Sequence, residues 1–385
     1  MADHSTKSYD FIFLGTGCAS LSILMRMIGS GRFADKTFLL IDKESKNNND
    51  RTWCFWEKEN GYFETIVYKK WNDLLFKTGE LSLSLNIAPY KYKMIRGIDF
   101  YNYCFSKIAL QSNIQIKYGK IDFERNNSIK INGESLITNY AIVFNSIYLP
   151  AKKEQNKFYL LQHFKGWIIE TSTNQFNPDQ GTLMDFSISQ KHGTTFIYVL
   201  PLTPNKALVE YTLFTKNLLQ KEEYDLQLQN YIKQQLHISN FKIVEEEFGV
   251  IPMTNEDFTA YENGMYHIGT AGGQTKPSTG YTFQFIQKQA SQIVKDLILK
   301  KYPSKKINSK KRFHFYDSTL LHILSKNKLQ GKEIFTLLFQ KNKAADVFKF
   351  LDNETTVAEE LKIIGSLPTK EFLAAGIKEF IKTFN

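Results

Sequence analysis

Cysteine is scarce in this chain: the 385 residues hold three, Cys18, Cys54 and Cys104, far apart and in no C-x-x-C pair. Neither a disulfide framework nor a thiolate metal site is expected from that spacing. The seven histidines fall into no H-E-x-x-H or comparable ligand pattern, so no metal is expected. Long hydrophobic runs are also missing. No segment reaches the roughly 18 uninterrupted apolar residues that a membrane span needs, and the stretch Met1 to Tyr9 is polar, with an acid at Asp3. These absences suit a cytosolic protein.

Acid is in short supply as well. The net charge is +10, and the basic excess is densest between Lys295 and Arg312, where Asp296 is the only acid. Such a run suits an anionic membrane surface or nucleic acid. Solvated lysines of a compositionally biased genome would give the same excess, and no nucleic-acid partner is expected. At this length the chain exceeds one typical domain, so two interleaved lobes with an appendage are expected.

What the sequence does have is concentrated first at Tyr9 to Asp42. Phe11, Ile12, Phe13 and Leu14 form a short apolar run, too brief for a helix, that reads as a buried strand. Gly15-Thr16-Gly17-Cys18-Ala19-Ser20 follows, a G-x-G-x-x-S turn leading into an apolar helix that stops at Gly29 and Gly31. Gly15 permits the tight turn, Gly17 lets a pyrophosphate approach the backbone at the helix N-terminus, and Ser20 is small enough for the third site. Thr37 to Ile41 is the second strand, and Asp42 ends it where an acid can hydrogen-bond a ribose hydroxyl. Together they predict a dinucleotide site for FAD or NAD rather than NADP.

Asp50-Arg51-Thr52-Trp53-Cys54-Phe55-Trp56 crowds aromatics and an arginine into one segment that alternates poorly for either strand or helix. Arg51 suits a flavin ring or phosphate, or equally a salt bridge on a loop. Leu81, Leu83, Leu85 and Ile87 alternate as sheet, Ile98 to Ala109 reads as a helix, and Ile114, Ile116 and Tyr118 alternate as a strand. Asn132-Gly133 between short β-forming runs is a type I′ hairpin signal, and Tyr140 to Leu149 is a buried strand. In Gln162-His163-Phe164-Lys165-Gly166-Trp167 the histidine has no orienting partner in view and reads as scaffold.

Chemistry is densest from Met184 to Phe214. Thr195 to Pro201 and Ala207 to Leu213 are two strands joined by a Thr-Pro-Asn-Lys turn. In the second, Leu208, Glu210 and Thr212 share one face and Val209, Tyr211 and Leu213 the other. Glu210 is therefore either a solvent-facing edge residue or a carboxyl lining an apolar cavity with its pKa raised. Glu245-Glu246-Glu247 reads as a solvated surface, and Glu247 is given no chemistry. His267 to Phe283 carries a strand, a small-residue turn at Gly269 and Thr270, then Pro277 and Gly280 before a helix starting near Tyr281. At the C-terminal end Thr356 with Glu359 forms a capping box, Gly365 ends that helix and Thr369 begins another.

The N-terminal unit with Asp50 to Trp56, the run Gln162 to Trp167, Pro201-Leu202-Thr203-Pro204 with Ala207-Leu208-Val209-Glu210, Glu245 to Thr254, and Lys311 to Leu321 together resemble the FAD-dependent lycopene β-cyclases. The resemblance spans nearly the whole chain. It implies an α/β fold: a Rossmann-like FAD-binding lobe of the two-dinucleotide, hydroxylase/reductase-like kind, an interleaved antiparallel β-sheet substrate lobe, and C-terminal helices. The lobes are expected at 1–73, 98–150 and 256–300 for FAD, 74–97 and 151–255 for substrate, and 301–385 for the helical region.

It also implies reduced FAD as the active cofactor, NAD(P)H as reductant, and lycopene and related linear carotenoids as substrates. Glu210 matches the acid assigned to start cyclisation. Many members carry a second acid directly after it; Tyr211 stands there in this sequence, which makes Asp185 the leading candidate for a second carboxyl. Flavoprotein hydroxylases carry Gly-Asp-Ala where this chain has Gly269-Thr270-Ala271. The cofactor-binding set implied is Gly15, Gly17, Ser20, Asp42, Arg51, Gly269, Thr270, Pro277 and Gly280. A cytoplasmic enzyme peripherally bound to a membrane follows, because so greasy a substrate must be taken from a bilayer. A flavin monooxygenase or prenyl reductase would share the cofactor motifs, and an escort protein of the same fold would bind prenyl lipid without cofactor.

Overall fold

The computed structural model describes residues 8–124, 128–138, 140–150, 157–306 and 310–384. Most of the polar N-terminal stretch, up to residue 7, and residues 307–309 of the basic run lie outside the described residues. β1 (Phe11–Leu14) and β2 (Phe38–Asp42) are buried along their whole length, as unbroken apolar runs require of central parallel strands. Between them α1 (Cys18–Ser30) turns an apolar face inward and ends at Gly31, whose φ of 65° is the left-handed geometry that glycine adopts without steric cost.

The next elements are β3 (Thr52–Glu57), β4 (Lys69–Trp71), β5 (Asp73–Lys77), β6 (Ser82–Asn86), β7 (Lys91–Arg96), α2 (Gly97–Ile108) and β8 (Ile114–Tyr118). β9 (Ile121–Phe123), β10 (Ile129–Ile131) and β11 (Glu134–Leu136) form a small antiparallel sheet. Its hairpin has Asn132 and Gly133 at φ of 51° and 87°, the double positive φ of a type I′ turn. β7 does not continue the sheet of β5 and β6. It pairs with β3 and β4 instead, so the segment 74–97 is divided between two sheets.

The aromatic segment after the first βαβ unit is a strand after all. Alternation is hidden because β3 is covered on both faces: Trp53 and Phe55 face Phe100 and Phe283, while Trp56 stacks on Phe348 at 4.4 Å. A strand buried on both sides has no polar face for a period-two reading to find.

β12 (Ile142–Asn145) returns to β1. The resulting six-stranded sheet runs β18-β19-β12-β1-β2-β8, with β18 (Tyr261–Glu262) antiparallel to β19 (Met265–His267) and the rest parallel. The larger sheet is built from β13 (Tyr159–Glu170), β14 (Gln180–Asp185), β15 (Thr194–Thr203), β16 (Lys206–Thr215) and β17 (Lys242–Thr254), in the order β17-β13-β16-β15-β14-β5-β6. The β13–β17 ladder is regular from Tyr159 to Ile168, then slips one residue between Ile168 and Ile169.

One face of this sheet packs Val209, Tyr211 and Leu213 against Tyr224, Leu228 and Tyr231 of α3 (Lys221–Gln234). The other buries Leu200, Leu208 and Phe214 in a cluster shared with the C-terminal helices. Each such side chain contributes about 1.5–3 kcal/mol when taken from water. A 3₁₀ turn at Gly269–Gly272 leads to α4 (Phe283–Ile298), which packs on α1 through Phe283, Ile286 and Ala290. α5 (Lys311–Ser325), α6 (Gly331–Lys341), α7 (Ala344–Leu351), α8 (Val357–Ile364) and α9 (Thr369–Phe384) complete the chain. Thr356 and Glu359 make the capping box at the start of α8.

Candidate active site

A cavity of about 510 Å³ lies where the two sheets meet. From the nucleotide-type unit it takes Gly17, Cys18 and Ala19 at the start of α1, and from the later motif Gly269, Thr270 and Gly280. Thr282 and Phe283 add the start of α4. Two helix N-termini therefore open on one space. Neither N-cap makes a side-chain hydrogen bond, and neither first turn carries an acid. Unsatisfied N–H groups at the positive end of a helix dipole favour an anionic ligand.

The glycines there have steric reasons. A Cβ on Gly17 would meet nothing within 4 Å, which leaves room for an incoming group. Gly269, at φ of 61°, passes so close to α1 that a Cβ would lie 2.8 Å from that of Ala19. Its N–H is taken by Gln289 at 3.0 Å, and that of Gly280 by the Lys276 carbonyl at 2.8 Å. Thr270, expected among the cofactor-binding residues, shares a 3.0 Å hydrogen bond with the hydroxyl of Thr275.

Arg51 lines the cavity and holds Asp50 at 3.0 Å, while Asp50 accepts from the Tyr101 hydroxyl at 3.0 Å. Gly15, Ser20, Asp42 and Pro277 lie outside the lining. Asp42 is tied to the glycine turn, accepting from the N–H and hydroxyl of Thr16 at 2.7 and 2.8 Å and pairing with Lys46 at 3.3 Å. Burial alone would raise its pKa, but these donors outweigh it and hold it below the ordinary carboxylate value. Ser20 is buried against Ser146.

The substrate sheet contributes Glu210. It lies opposite Tyr198 of β15, on the face that also carries Leu208, and Leu200, Phe164 and Ile251 line the space around it. Thr212 donates to Glu210 Oε1 at 2.8 Å. Burial pushes the Glu210 pKa well above its ordinary value, and the neighbouring Glu247 adds to the rise; the Thr212 bond only partly opposes them. The acid form is the favoured one.

Two placements differ from expectation. Asp185 does not reach this cavity. It pairs with Ile197 across the β14–β15 ladder and so faces α3, where it accepts from the Tyr231 hydroxyl at 2.7 Å and the Ser187 N–H at 2.8 Å. Strand alternation puts it on the opposite face of the sheet from Glu210. The carboxyl beside Glu210 is Glu247, on β17, read from sequence as a solvated surface. Its neighbour Glu246 is exposed, but Glu247 turns inward, and Thr52 of β3 donates to its Oε2 at 2.7 Å. The signal available in the sequence was the period-two spacing of Glu245, Glu247 and Gly249 within a strand.

His163 is buried between the Thr215 hydroxyl at 2.7 Å and the Tyr224 hydroxyl at 2.6 Å, and burial lowers its pKa to about 4. That is a structural histidine. Among the described residues no three His, Cys, Asp or Glu side chains group as a metal site, and no helix is long and apolar enough to cross a membrane. The three cysteines are free.

Residues 10–375 match the model of a family described as lycopene cyclase protein. A lycopene beta-cyclase from Pantoea ananas is 24% identical over 292 residues, 71% of each chain. One from Pseudescherichia vulneris is 24% identical over 285 residues, covering 71% of this chain and 70% of the relative. Among solved structures, a flavoprotein/dehydrogenase from Cytophaga hutchinsonii superposes with a TM-score of 0.61 at 10% identity, covering 98% of this chain and all of that one. A geranylgeranyl bacteriochlorophyll reductase-like protein from Thermoplasma acidophilum gives 0.56 at 12% identity, covering 98% and 99%. These likenesses establish the mixed α/β architecture with its Rossmann-type lobe.

Proposed function

The chain belongs to the lycopene cyclase family, and from that premise we propose that it closes the ψ-ends of lycopene into β-rings. The reaction is redox-neutral and acid-catalysed, and its product is β-carotene. Glu210 is the acid: its carboxyl delivers a proton to the terminal double bond of the linear polyene. A tertiary cation forms, the neighbouring double bond attacks it, and loss of a ring proton gives the β-ring. The observation that carries this reading is the one carboxyl of β16, half-buried and lining the cavity, with its acid form favoured. Protonating carbon needs an acid that is poorly solvated, and Leu200, Leu208 and Phe164 line the same cavity as its apolar neighbours.

The cofactor in this reading is non-covalent reduced FAD, with NAD(P)H as reductant. Gly15, Gly17, Ser20 and Asp42 would serve its adenosine and pyrophosphate end, and Arg51, Gly269, Thr270, Pro277 and Gly280 its flavin end. Support comes from the uncapped starts of α1 and α4 at one cavity and from the open space over Gly17. When bound, the reduced flavin supplies electron density that stabilises a nearby positive charge.

The substrate reading extends to location. A hydrocarbon of this length costs on the order of 30 kcal/mol to place in water, so a cytoplasmic enzyme must meet it at a bilayer. Exposed Ile298, Leu299 and Tyr302 sit among the lysines of the basic run, and Leu373, Ile377 and Ile381 are exposed on α9. Both support peripheral attachment.

Expression in a lycopene-accumulating bacterium tests the whole: red cells turn orange if the reading holds and stay red if it fails. Glu210→Gln keeps bound flavin and loses about 10²-fold to 10⁴-fold in ring closure. A wild-type protein that purifies colourless would point to the cofactor-free escort role instead. Consumption of NAD(P)H in proportion to product would point to a monooxygenase or reductase.

A further inference from the structure

Glu210 and Glu247 sit on strands that do not touch. β13 runs between them, and both residues pair with the same position on it, Gly166. Across two strand spacings, roughly 10 Å of backbone, two glutamate side chains meet only if nothing stands in the lane between them. Gly166 leaves that lane open. A Cβ there would lie 3.0 Å from Glu247 Cγ, 3.1 Å from Glu247 Oε1 and 3.0 Å from a Leu208 methyl. The two carboxyls are within hydrogen-bond reach of each other.

Their remaining bonds are complementary. Each carboxyl has one oxygen held by a threonine hydroxyl, Thr212 on Glu210 Oε1 and Thr52 on Glu247 Oε2. Glu247 Oε1 is buried and receives no donor from any described residue. A buried acceptor without a donor costs about 1–3 kcal/mol, and the one group placed to satisfy it is the acid proton of Glu210.

We infer that Glu210 and Glu247 hold one proton between them across Gly166, with Glu247 as the positioning residue that keeps the proton on Glu210 and aims it. The inference rests on the cyclase reading only in what the proton is used for. Two carboxylates this close cannot both ionise at ordinary cost, so the pair keeps one proton to higher pH than either would alone. The directions agree: burial raises both groups, while the bond from Glu210 and that from Thr52 pull Glu247 back toward its charged form.

Other titratable groups face the same space. Cys54 on β3, Tyr92 on β7, Tyr198 on β15 and Tyr281 before α4 are all held in their neutral forms by burial. Arg51 is paired with Asp50, Cys18 is kept neutral by burial, and Tyr148 lines the cavity as well. Glu245 acts on Glu247 along β17.

The test is the pH dependence of ring closure in the flavin-loaded full chain, set beside an infrared titration of the protonated-carboxyl carbonyl band in the same protein without substrate. Activity should be present while the pair holds its proton and fall as pH rises. Glu247→Gln, which keeps the shape and removes the charge, should move that falling limb down by about one pH unit or more, with the KM for lycopene within about twofold. Asp352, a second carboxyl whose pKa burial raises to about 7, is removed from the signal by working in an Asp352→Asn background. There the infrared band should be absent with Glu210→Gln added, persist at neutral pH without it, and titrate at lower pH with Glu247→Gln. Gly166→Ala should shift it the same way without altering either carboxyl. An unmoved limb and an unmoved band in Glu247→Gln overturn the shared proton. If the wild type closes no ring, the cyclase reading fails while the infrared titration still decides the pair.

Discussion

Replacing Asp185 by Asn separates the two candidate partners of Glu210. Asp185 is 3% exposed, on the α3 side of the sheet, with one oxygen bonded to the Tyr231 hydroxyl and the other to the Ser187 N–H. Asparagine keeps an acceptor for Tyr231 but turns an amide toward Ser187, so one buried bond is lost and a donor is left facing a donor. That costs about 1–3 kcal/mol. With an unfolding entropy of about 2.1 cal/mol/K per residue, a chain of 385 residues should melt about 1–4 °C lower. Ring closure per flavin-loaded molecule should stay within about twofold, since nothing at the cavity changes. Differential scanning calorimetry and product formation on the same sample give both numbers. A loss near the 10²-fold expected of a missing general acid, at unchanged melting temperature, would refute the placement and return Asp185 to the chemistry.

Other expectations follow from single contacts. Gly269→Ala forces a side chain into left-handed backbone and against Ala19; it should cost about 1–3 kcal/mol and lower the ratio of bound flavin to protein absorbance. Asp352, bonded to the Trp56 indole at 2.8 Å, has its pKa raised from 3.8 to about 7, chiefly by burial, with Glu354 adding and Lys288 opposing. A raised acid favours folding below the unfolded value and loses that contribution as pH climbs to the folded one. Stability should therefore fall between those two pH values by up to about 4 kcal/mol, and Asp352→Asn should flatten the fall in a melting series. Charge reversal of the lysines from Lys295 to Lys311 should abolish salt-sensitive binding to anionic liposomes, at roughly 1 kcal/mol per lysine; unchanged binding would exclude that run as the contact.

Local signals carried far here. The strand, glycine turn, helix and second strand at the N-terminus are contiguous and need no partner to be recognised, and the same holds for the Asn132-Gly133 hairpin and the box at Thr356. Alternation groups Glu210 with Leu208 and Thr212 but leaves solvent or cavity open for that face; the family resemblance chooses the cavity, and β16 turns that face to it while the other packs on α3. What stayed hidden is non-local. Glu245-Glu246-Glu247 reads as solvated until β3 arrives beside β17 and Thr52 takes the third carboxyl. Gly166 is one glycine in a run of larger residues, and its purpose exists only once β16 and β17 flank it. Asp185 was chosen by elimination within one segment, where the irregular β14–β15 register and the position of α3 were out of reach.

The slip in the β13–β17 ladder lies two residues past Gly166, on the side away from the cavity motifs Gln162 and Phe164. An added or deleted residue toward Lys242 can be taken up at that irregularity, and Glu247 keeps its heading. The same change between Leu161 and Gly166 has no such slack, and would swing one carboxyl to the wrong side of the sheet. Homologous loops should thus vary in length freely at one end of this ladder and hardly at all along the other.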